Sequence, residues 1–551
     1  MRIALFQHNY TINDIDYNVK LIKESIASAR KSNADLAVFS ELSICGYPPH
    51  DLLEREDFVA RCLAAVEEIA TGCNNIAAIV GAPSINPAGS GKQLFNSAFL
   101  LENGKVADIH HKGLLPTYDI FDEYRYFEPS KEFNISLFKG KKLAITICED
   151  IWDDQPVTTR FGKSRLYPVS PMEALAKESP DIIINIAASP FSNDITQRRK
   201  EVFLSNVGRY GLPVVYVNQV GANTDLIFDG NSMVVNSKGE VVYQMKAFEE
   251  DTLVIDTDQL EQAQPIKQKE ANRIESIHNA LVLGIRDYFR KMGFKRATLG
   301  LSGGIDSAVV LCLAAEAIGS ENVRVLLMPS RYSSDHSVKD AEDLAKNLNI
   351  QYDLVGIEPM VKAYEESLAP LFVGRQADIT EENIQARIRG TLLMALSNKF
   401  GNLLLNTTNK SEAAVGYGTL YGDMNGAISA LGDVYKTDVF ELARYINRAT
   451  EIIPINTIVK PPSAELRPDQ KDSDSLPDYD ILDAILYRYI EKQFSIEEIV
   501  AEGYPETLVK KAVYLVDTNE YKRFQFAPVL RVSSKAFGPG RRIPLVAKFN
   551  R

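Results

Sequence analysis

Three residues in the first half of the chain carry complementary chemistry: Glu41 in FSELSICGYPP, Lys112 in HHKGLLPTYDIFDE and Cys148 in ITICEDIW. A thiol attacks an acyl carbon only as its thiolate, and an unperturbed thiol ionises at about 8.5. A nearby ammonium favours the thiolate, and a carboxylate can take its proton and later activate water. The lysine and a backbone N–H after the cysteine can hold a developing oxyanion. Together the trio offers nucleophile, base and electrophile for opening an amide. Singly, each has a plainer reading: a cysteine at a strand end is core, and lysine or glutamate is solvated surface.

A second concentration lies in ATLGLSGGIDSAVVLCLAA, where Gly300, Leu301, Ser302, Gly303, Gly304, Ile305, Asp306 and Ser307 link a predicted strand to a predicted helix. Two glycines let the backbone turn tightly and approach an anion. The helix N-terminus behind them offers unpaired N–H groups and a positive dipole end. Ser302 and Ser307 add hydroxyl donors, and Asp306 can hold Mg²⁺ together with phosphate oxygens. The plain alternative is a generic helix cap. A phosphoryl-transferring GxxxxGK[ST] loop is excluded, because the Gly-Lys-Ser at 162–164 has Val157 where the first glycine should stand.

Positioning these groups requires strand ends. In the first half, short β-rich runs are predicted at 3–7, 36–40, 77–81, 97–101, 143–148, 182–187 and 214–218, many continuously apolar, which reads as sheet buried on both faces. Asn103-Gly104 and Lys238-Gly239 read as hairpin turns, and 239–255 as a closing hairpin-like stretch. The polar segment 256–271, with Pro265, reads as a linker. Beyond it helix 274–291, strand 297–301, strand 323–328, helix 337–348, strand 351–356, helix 381–400 and strand 402–406 alternate, the pattern of a parallel doubly wound sheet with its ligand at the carboxyl ends of the strands. The charged, proline-containing stretch 460–479 is a surface loop or a mobile lid.

With 551 residues, two large domains are expected. A net charge of −12 argues against a surface that tracks nucleic acid. The N-terminus runs directly into a strand pattern without a signal-peptide layout, and apolar runs stay short of the roughly 18–20 residues of a membrane span. The five cysteines, odd in number and without a CxxC pair, fit a reducing compartment without disulfide or zinc framework. The expectation is a cytoplasmic enzyme.

The stretches FSELSICGYPPHDLL, HHKGLLPTYDIFDEYRYF and ITICEDIW resemble the three signatures of the nitrilase, or carbon–nitrogen hydrolase, superfamily across roughly residues 1–258. The resemblance implies an αββα sandwich with Glu41 as base, Lys112 as transition-state stabiliser and Cys148 as nucleophile. It further implies Tyr118, Glu123 and Ser189 around a glutamine substrate, with a basic residue from Arg198, Arg199 or Lys200, of which Arg198 is selected. Two other glutaminase chemistries fit worse. Position 2 is Arg2 rather than an N-terminal cysteine, and the next histidine after Cys148 is His278, beyond the linker.

The string SGGIDSA is similar to the ATP-pyrophosphatase loop, whose families form a carboxyl adenylate and release pyrophosphate. Such an adenylate attacked by ammonia gives an amide, which joins the two halves chemically. NIQARIRGTLLMALSN, LLNTTNKSEAAVGYGTLYGD, LGDVYKTDVFELAR, PPSAELRPDQKDSDSLPDYDILD and NEYKRFQFAPVLRV resemble the NAD synthetase family in its glutamine-using branch. That resemblance implies an α/β synthetase domain over 273–551, joined to a glutaminase domain over 1–258 by a linker at 259–272. It implies ATP contacts at Thr407 and Lys436, Mg²⁺ at Asp306 and Glu412, and Gln385, Arg387, Glu412, Asp423 and Lys522 around deamido-NAD. A homo-oligomer, and a lid at 460–479 folding over the site, follow from the same likeness. The rival readings are another amidotransferase acting on a different carboxylate, a simple amidase with a degenerate nucleotide domain, and a non-enzymatic nucleotide sensor.

Overall fold

The computed structural model describes residues 1–153, 166–267, 272–468, 470–474 and 476–549. The Gly-Lys-Ser at 162–164, part of the expected linker and two positions of the 460–479 stretch lie outside the described residues. The chain divides into two compact units, Met1–Glu270 and Ala271–Arg551.

In the first unit, one six-stranded sheet runs in the order Asp251–Asp256, Arg2–Gln7, Leu36–Val38, Ala77–Ile85, Leu94–Glu102, Lys105–His111. A second runs Val241–Gln244, Met233–Val235, Val214–Asn218, Ile182–Ala187, Lys141–Ile147, Ser136–Phe138. The apolar runs follow from burial on both faces. Ile3 and Leu5 join Ile145, Ile147 and Val215 in one core. Their neighbours Ala4 and Phe6 join another with residues of the helices Ile15–Lys31 and Glu56–Thr71, such as Ile22 and Val66. This is the αββα sandwich.

The hairpin at Asn103-Gly104 joins paired antiparallel strands, as does the turn at Lys238-Gly239. The hairpin-like reading of 239–255 does not hold. Val241–Gln244 pairs with Met233–Val235 in one sheet, whereas Asp251–Asp256 pairs with Arg2–Gln7 in the other. The partner of the last strand is the first segment of the chain, and local alternation carries no information about that.

The second unit holds a five-stranded, wholly parallel sheet ordered Gln351–Leu354, Val323–Leu327, Ala297–Gly300, Leu403–Asn406, Ile428–Ser429. Strand order reverses between Ala297–Gly300 and Leu403–Asn406, the place where open parallel sheets bind ligands. The helices Tyr479–Ile490, Ile496–Ala501 and Glu506–Thr518 form a separate core against Lys410–Val415. Of the 460–479 stretch, Asp472–Asp474 is a short helical turn. Among the described residues no helix is long and apolar enough to cross a membrane.

Candidate functional site

Glu41 follows the strand Leu36–Val38, Lys112 follows Lys105–His111, and Cys148 follows Lys141–Ile147, so three strand ends from two sheets supply the first site. The expected strand through 148 stops one residue early. Cys148 opens a 3₁₀ turn, Cys148–Trp152, with φ 44°. Non-glycine residues occupy that region at a cost and cluster at functional sites. The Asp150 carboxylate braces the turn, accepting from Ile147 N at 3.1 Å and from Gly113 N and Leu114 N at 2.9 Å each. The segments after Lys112 and around Cys148 are thereby tied together.

Lys112 is fully buried. Its ammonium donates to Glu41 Oε1 at 2.7 Å and to Glu123 Oε1 and Oε2 at 2.8 and 2.7 Å. Glu41 also accepts from Asn96 Nδ2 at 2.7 Å and from Ala188 N at 2.9 Å, and Glu123 accepts from the Tyr47 hydroxyl at 2.9 Å. Burial pushes the Cys148 thiol well above its ordinary range; the Glu41 charge adds to this, Lys112 opposes it, and Glu149 and Glu123 add again. Ammonium-assisted ionisation of the resting thiol is therefore not what this arrangement favours. One cation is shared by two carboxylates, and the cysteine rests protonated. Glu123 is itself pushed up to about 7 by burial, with Lys112 opposing.

Tyr118 donates its hydroxyl to Glu149 Oε1 at 2.8 Å, and Tyr167 donates to the same oxygen at 2.9 Å. Glu149 is buried directly after Cys148; sequence reasoning missed it, although its place in ICEDIW was the available signal. Ser189 also lies buried. The basic residue beside it is Arg199, not Arg198. Arg199 Nε donates to Ser189 Oγ at 3.1 Å, Nη2 to the Ser189 carbonyl at 2.7 Å, and Nη1 to both Asp229 oxygens at 2.7 and 2.9 Å. Arg198 points outward, half-exposed, 3.8 Å from Asp194. Helical phase decides: Arg199, Val202, Phe203 and Asn206 fall on the buried face of Ile195–Tyr210, and Arg198 is turned about 100° away.

The second site lies at the strand ends of the parallel sheet, in a cleft of about 320 Å³ lined by Gly300, Leu301, Ser302, Gly304, Ile305, Asp306 and Ser307. Thr407, Glu412, Asp423 and Lys436 also line it. Gly303 has φ 78°, and a Cβ there would fall 2.1 Å from the Ser337 carbonyl oxygen, so only glycine fits. The Ser302 hydroxyl accepts from Gly304 N at 3.1 Å, and no side chain caps the helix Ile305–Ile318. A helix start whose N-cap residue has no side chain can offer its first N–H groups to an anion. Lys436 Nζ is 2.5 Å from Asp306 Oδ2 and 3.4 Å from Glu412 Oε1, and Asn409 Nδ2 donates to Asp306 Oδ1 at 2.9 Å. Burial, then the Asp306 charge, pushes Glu412 up to about 8.

The residues expected around the acceptor are less uniformly placed. Asp423 lines the cleft, held by Thr419 N at 2.6 Å and pushed up to about 6 by burial. Lys522 donates to the carbonyls of Gly416 and Gly418 at 2.7 and 2.8 Å. Gln385 donates to Leu466 O at 3.0 Å, reaching the 460–479 segment. Arg387 is exposed, bonded to Leu420 O at 3.2 Å, and stands off the cleft wall, whereas Arg389 lines it. Pro461, Glu465 and Asp472 of the 460–479 segment line the cleft as well. Asp472 accepts from the hydroxyls of Tyr417 and Tyr479 at 3.2 and 3.0 Å.

Comparison with known proteins covers both units. Residues 2–268 match the carbon–nitrogen hydrolase family and residues 277–526 the NAD synthase family. The chain is 46% identical over 556 residues to a glutamine-dependent NAD(+) synthetase of Synechocystis sp., covering 100% of this chain and 99% of that protein. It is 43% identical over 550 residues to one of Acinetobacter baylyi, covering 99% and 98%. Among solved structures, a glutamine-dependent NAD+ synthetase from Acinetobacter baumannii in complex with adenosine diphosphate aligns with TM-score 0.77 at 39% identity, over 99% of this chain and 98% of that one. One from Cytophaga hutchinsonii aligns with TM-score 0.83 at 22% identity over the same shares and speaks for the fold.

Proposed function

The chain belongs to the glutamine-dependent NAD(+) synthetase family, and from that premise we propose how its two sites divide the reaction. The enzyme hydrolyses glutamine in a glutaminase domain, 1–258. Beyond a linker at 259–272, a synthetase domain, 273–551, uses ATP to amidate deamido-NAD to NAD.

Cys148 attacks the glutamine amide carbon while Glu41 takes the thiol proton. The buried cysteine rests protonated, which makes a base in contact a requirement. Lys112 faces the developing oxyanion. The proton held by Glu41 goes to the departing ammonia, and Glu41 then activates the water that opens the thioester, releasing glutamate. Tyr118, Glu149, Ser189 and Arg199 shape the substrate end of the site, and Glu123 steadies Lys112.

In the second unit the loop Ser302–Ser307 takes the phosphates of ATP. A nicotinate carboxylate oxygen bonds to the α-phosphorus, the bond to the bridging oxygen breaks, and pyrophosphate leaves with the electron pair. Ammonia then adds to the acyl carbon and AMP departs, leaving the amide. Asp306 and Glu412 fit Mg²⁺: both already face one cation, Lys436, and the raised Glu412 carboxyl marks a site short of positive charge. Mg²⁺ bound there would neutralise phosphate charge. Thr407 and Lys436 face ATP from the same wall, and Gln385, Arg387, Asp423 and Lys522 serve the acceptor. We place the enzyme in the cytoplasm as a homo-oligomer.

The observation that carries this reading is the paired design: Lys112 between Glu41 and Glu123 beside Cys148 in one unit, and the uncapped Gly303-Gly304 turn facing Asp306, Glu412 and Lys436 in the other. The test is a product assay with deamido-NAD, ATP, Mg²⁺ and glutamine, following NAD, AMP and glutamate. The three rise in step if the reading is right. Glutamate without NAD would send the second unit to another carboxylate.

A further inference from the structure

Among the described residues, two of the three cations that line the synthetase cleft lie beside carboxylates. Lys436 meets Asp306 and Glu412, and Lys460 reaches Ser337 Oγ at 3.1 Å and Asp340 at 3.6 Å. Arg389, half-buried on the helix Ile379–Phe400, makes a single hydrogen bond among the described residues, from Nε to the Met328 carbonyl at 3.1 Å. Its Nη1 and Nη2 groups have no hydrogen-bond partner among the described residues, and no carboxylate lies within ion-pair distance of them.

The two acidic side chains that act on it electrostatically are engaged elsewhere. Asp423 is held by Thr419 N, and Glu465 accepts from Ser334 Oγ at 3.0 Å and Ser337 Oγ at 2.7 Å. Burial pulls the guanidinium down to about 10, which still leaves it charged near neutral pH. A half-buried cation without a carboxylate partner favours an anion that completes it. A guanidinium fork with its outer N–H groups free matches a phosphate edge.

We propose that Arg389 grips a phosphate oxyanion of a nucleotide bound in this cleft, donating from Nη1 and Nη2 to non-bridging oxygens. The inference rests on the synthetase reading above and deepens it. The neighbouring Arg387, expected around the dinucleotide acceptor, is exposed and does not line the cleft. Two phosphates could supply the oxygens: the α-phosphate of ATP, which is attacked during adenylation, or the diphosphate of the dinucleotide acceptor. In the first case Arg389 stabilises charge that shifts as the carboxylate–phosphorus bond forms and pyrophosphate leaves, and it gives up no proton.

The experiment measures ATP–pyrophosphate exchange dependent on deamido-NAD, and NAD synthesis from free ammonia, for wild type, Arg389→Gln and Arg389→Lys. Glutamine hydrolysis without ATP or acceptor serves as the folding control. Arg389→Gln should lower exchange about 100-fold, the scale of losing an oxyanion donor. Arg389→Lys, which keeps the charge and loses the fork, should recover only part. A fall in kcat with KM for deamido-NAD unchanged assigns the α-phosphate; a rise in that KM at constant kcat assigns the acceptor diphosphate. Exchange within threefold of wild type in Arg389→Gln overturns the proposal. If that variant does not fold, Arg389→Lys decides: a tenfold loss upholds the fork and wild-type exchange overturns it. Wild type that hydrolyses glutamine but shows no exchange would instead remove the synthetase reading itself.

Discussion

Both units set one lysine between two carboxylates, and the surroundings make the two arrangements opposites. Lys112 and Glu41 are entirely shielded, and the two carboxylates around the ammonium have further partners, Asn96 and Ala188 N on Glu41 and the Tyr47 hydroxyl on Glu123. Around Lys436, Asp306 and Glu412 keep 17% and 16% of their side chains open to the cleft, and the Glu412 contact is long at 3.4 Å. The first cluster is complete: its cation is a fixed part of the machinery. The second is open to the cleft, and in the reaction proposed above its lysine stands where phosphates and a metal ion would bind. The same residue types make a permanent electrostatic frame in one place and a receptive one in the other, and access to solvent decides which.

The widest separation is expected from removing each reacting group. Cys148→Ala should abolish NAD formation from glutamine, a loss above about 10³-fold, while leaving synthesis from free ammonia near wild type. Asp306→Asn should abolish both. Loss of ammonia-driven synthesis in Cys148→Ala would break the division of labour.

Replacing the lysines sharpens the contrast in stability. Lys112→Met leaves two buried carboxylates facing each other and should destabilise its unit by about 3–5 kcal/mol. Lys436→Met, beside partly hydrated carboxylates, should cost about 1–2 kcal/mol while stopping synthesis. Thermal unfolding of both variants decides, and equal losses would erase the distinction between a closed and an open cluster.

The open cluster should also titrate. Glu412 sits at about 8, raised from the carboxylate range, so below that pH its protonated form competes with a metal ion. Mg²⁺ half-saturation of synthesis should therefore improve by up to about tenfold per pH unit up to about 8 and then level off. Glu412→Gln should flatten that slope, and a wild-type profile already flat between pH 6 and 8 would contradict it.

The smallest change concerns adjacent arginines. Arg198→Ala should shift stability by less than about 0.5 kcal/mol and leave glutamine hydrolysis intact. Arg199→Ala strands Asp229 in the interior and should raise KM for glutamine by at least about tenfold.

That last pair shows where sequence was informative. Glu41, Lys112 and Cys148 were legible through the three signature stretches that carry them, and the Ser302–Ser307 turn through the string SGGIDSA; the strand that ends before Lys112, Lys105–His111, is mostly polar and shows no apolar run. Choosing between Arg198 and Arg199 needed the phase of a helix, which Val202, Phe203 and Asn206 do encode at spacings of three, four and seven. The state of the cysteine was out of reach, since it depends on its burial and on Glu41 and Glu123, from distant segments, sharing the one ammonium beside it. Pairing of 251–256 with residues 2–7 was equally hidden, because no local pattern marks so remote a partner.

That pairing bears on how the protein is made. The strand Arg2–Gln7 is synthesised well before Asp251–Asp256 and lies between Leu36–Val38 and that strand. Until the latter has emerged, the sheet behind Glu41 keeps an open edge, ready to recruit a stray strand from another nascent chain. The first unit therefore cannot close until residue 256 of 551 has been made, near the middle of synthesis. Anyone splitting the two activities onto separate polypeptides has to cut after Asp256, because a fragment ending earlier lacks the strand that closes the sheet.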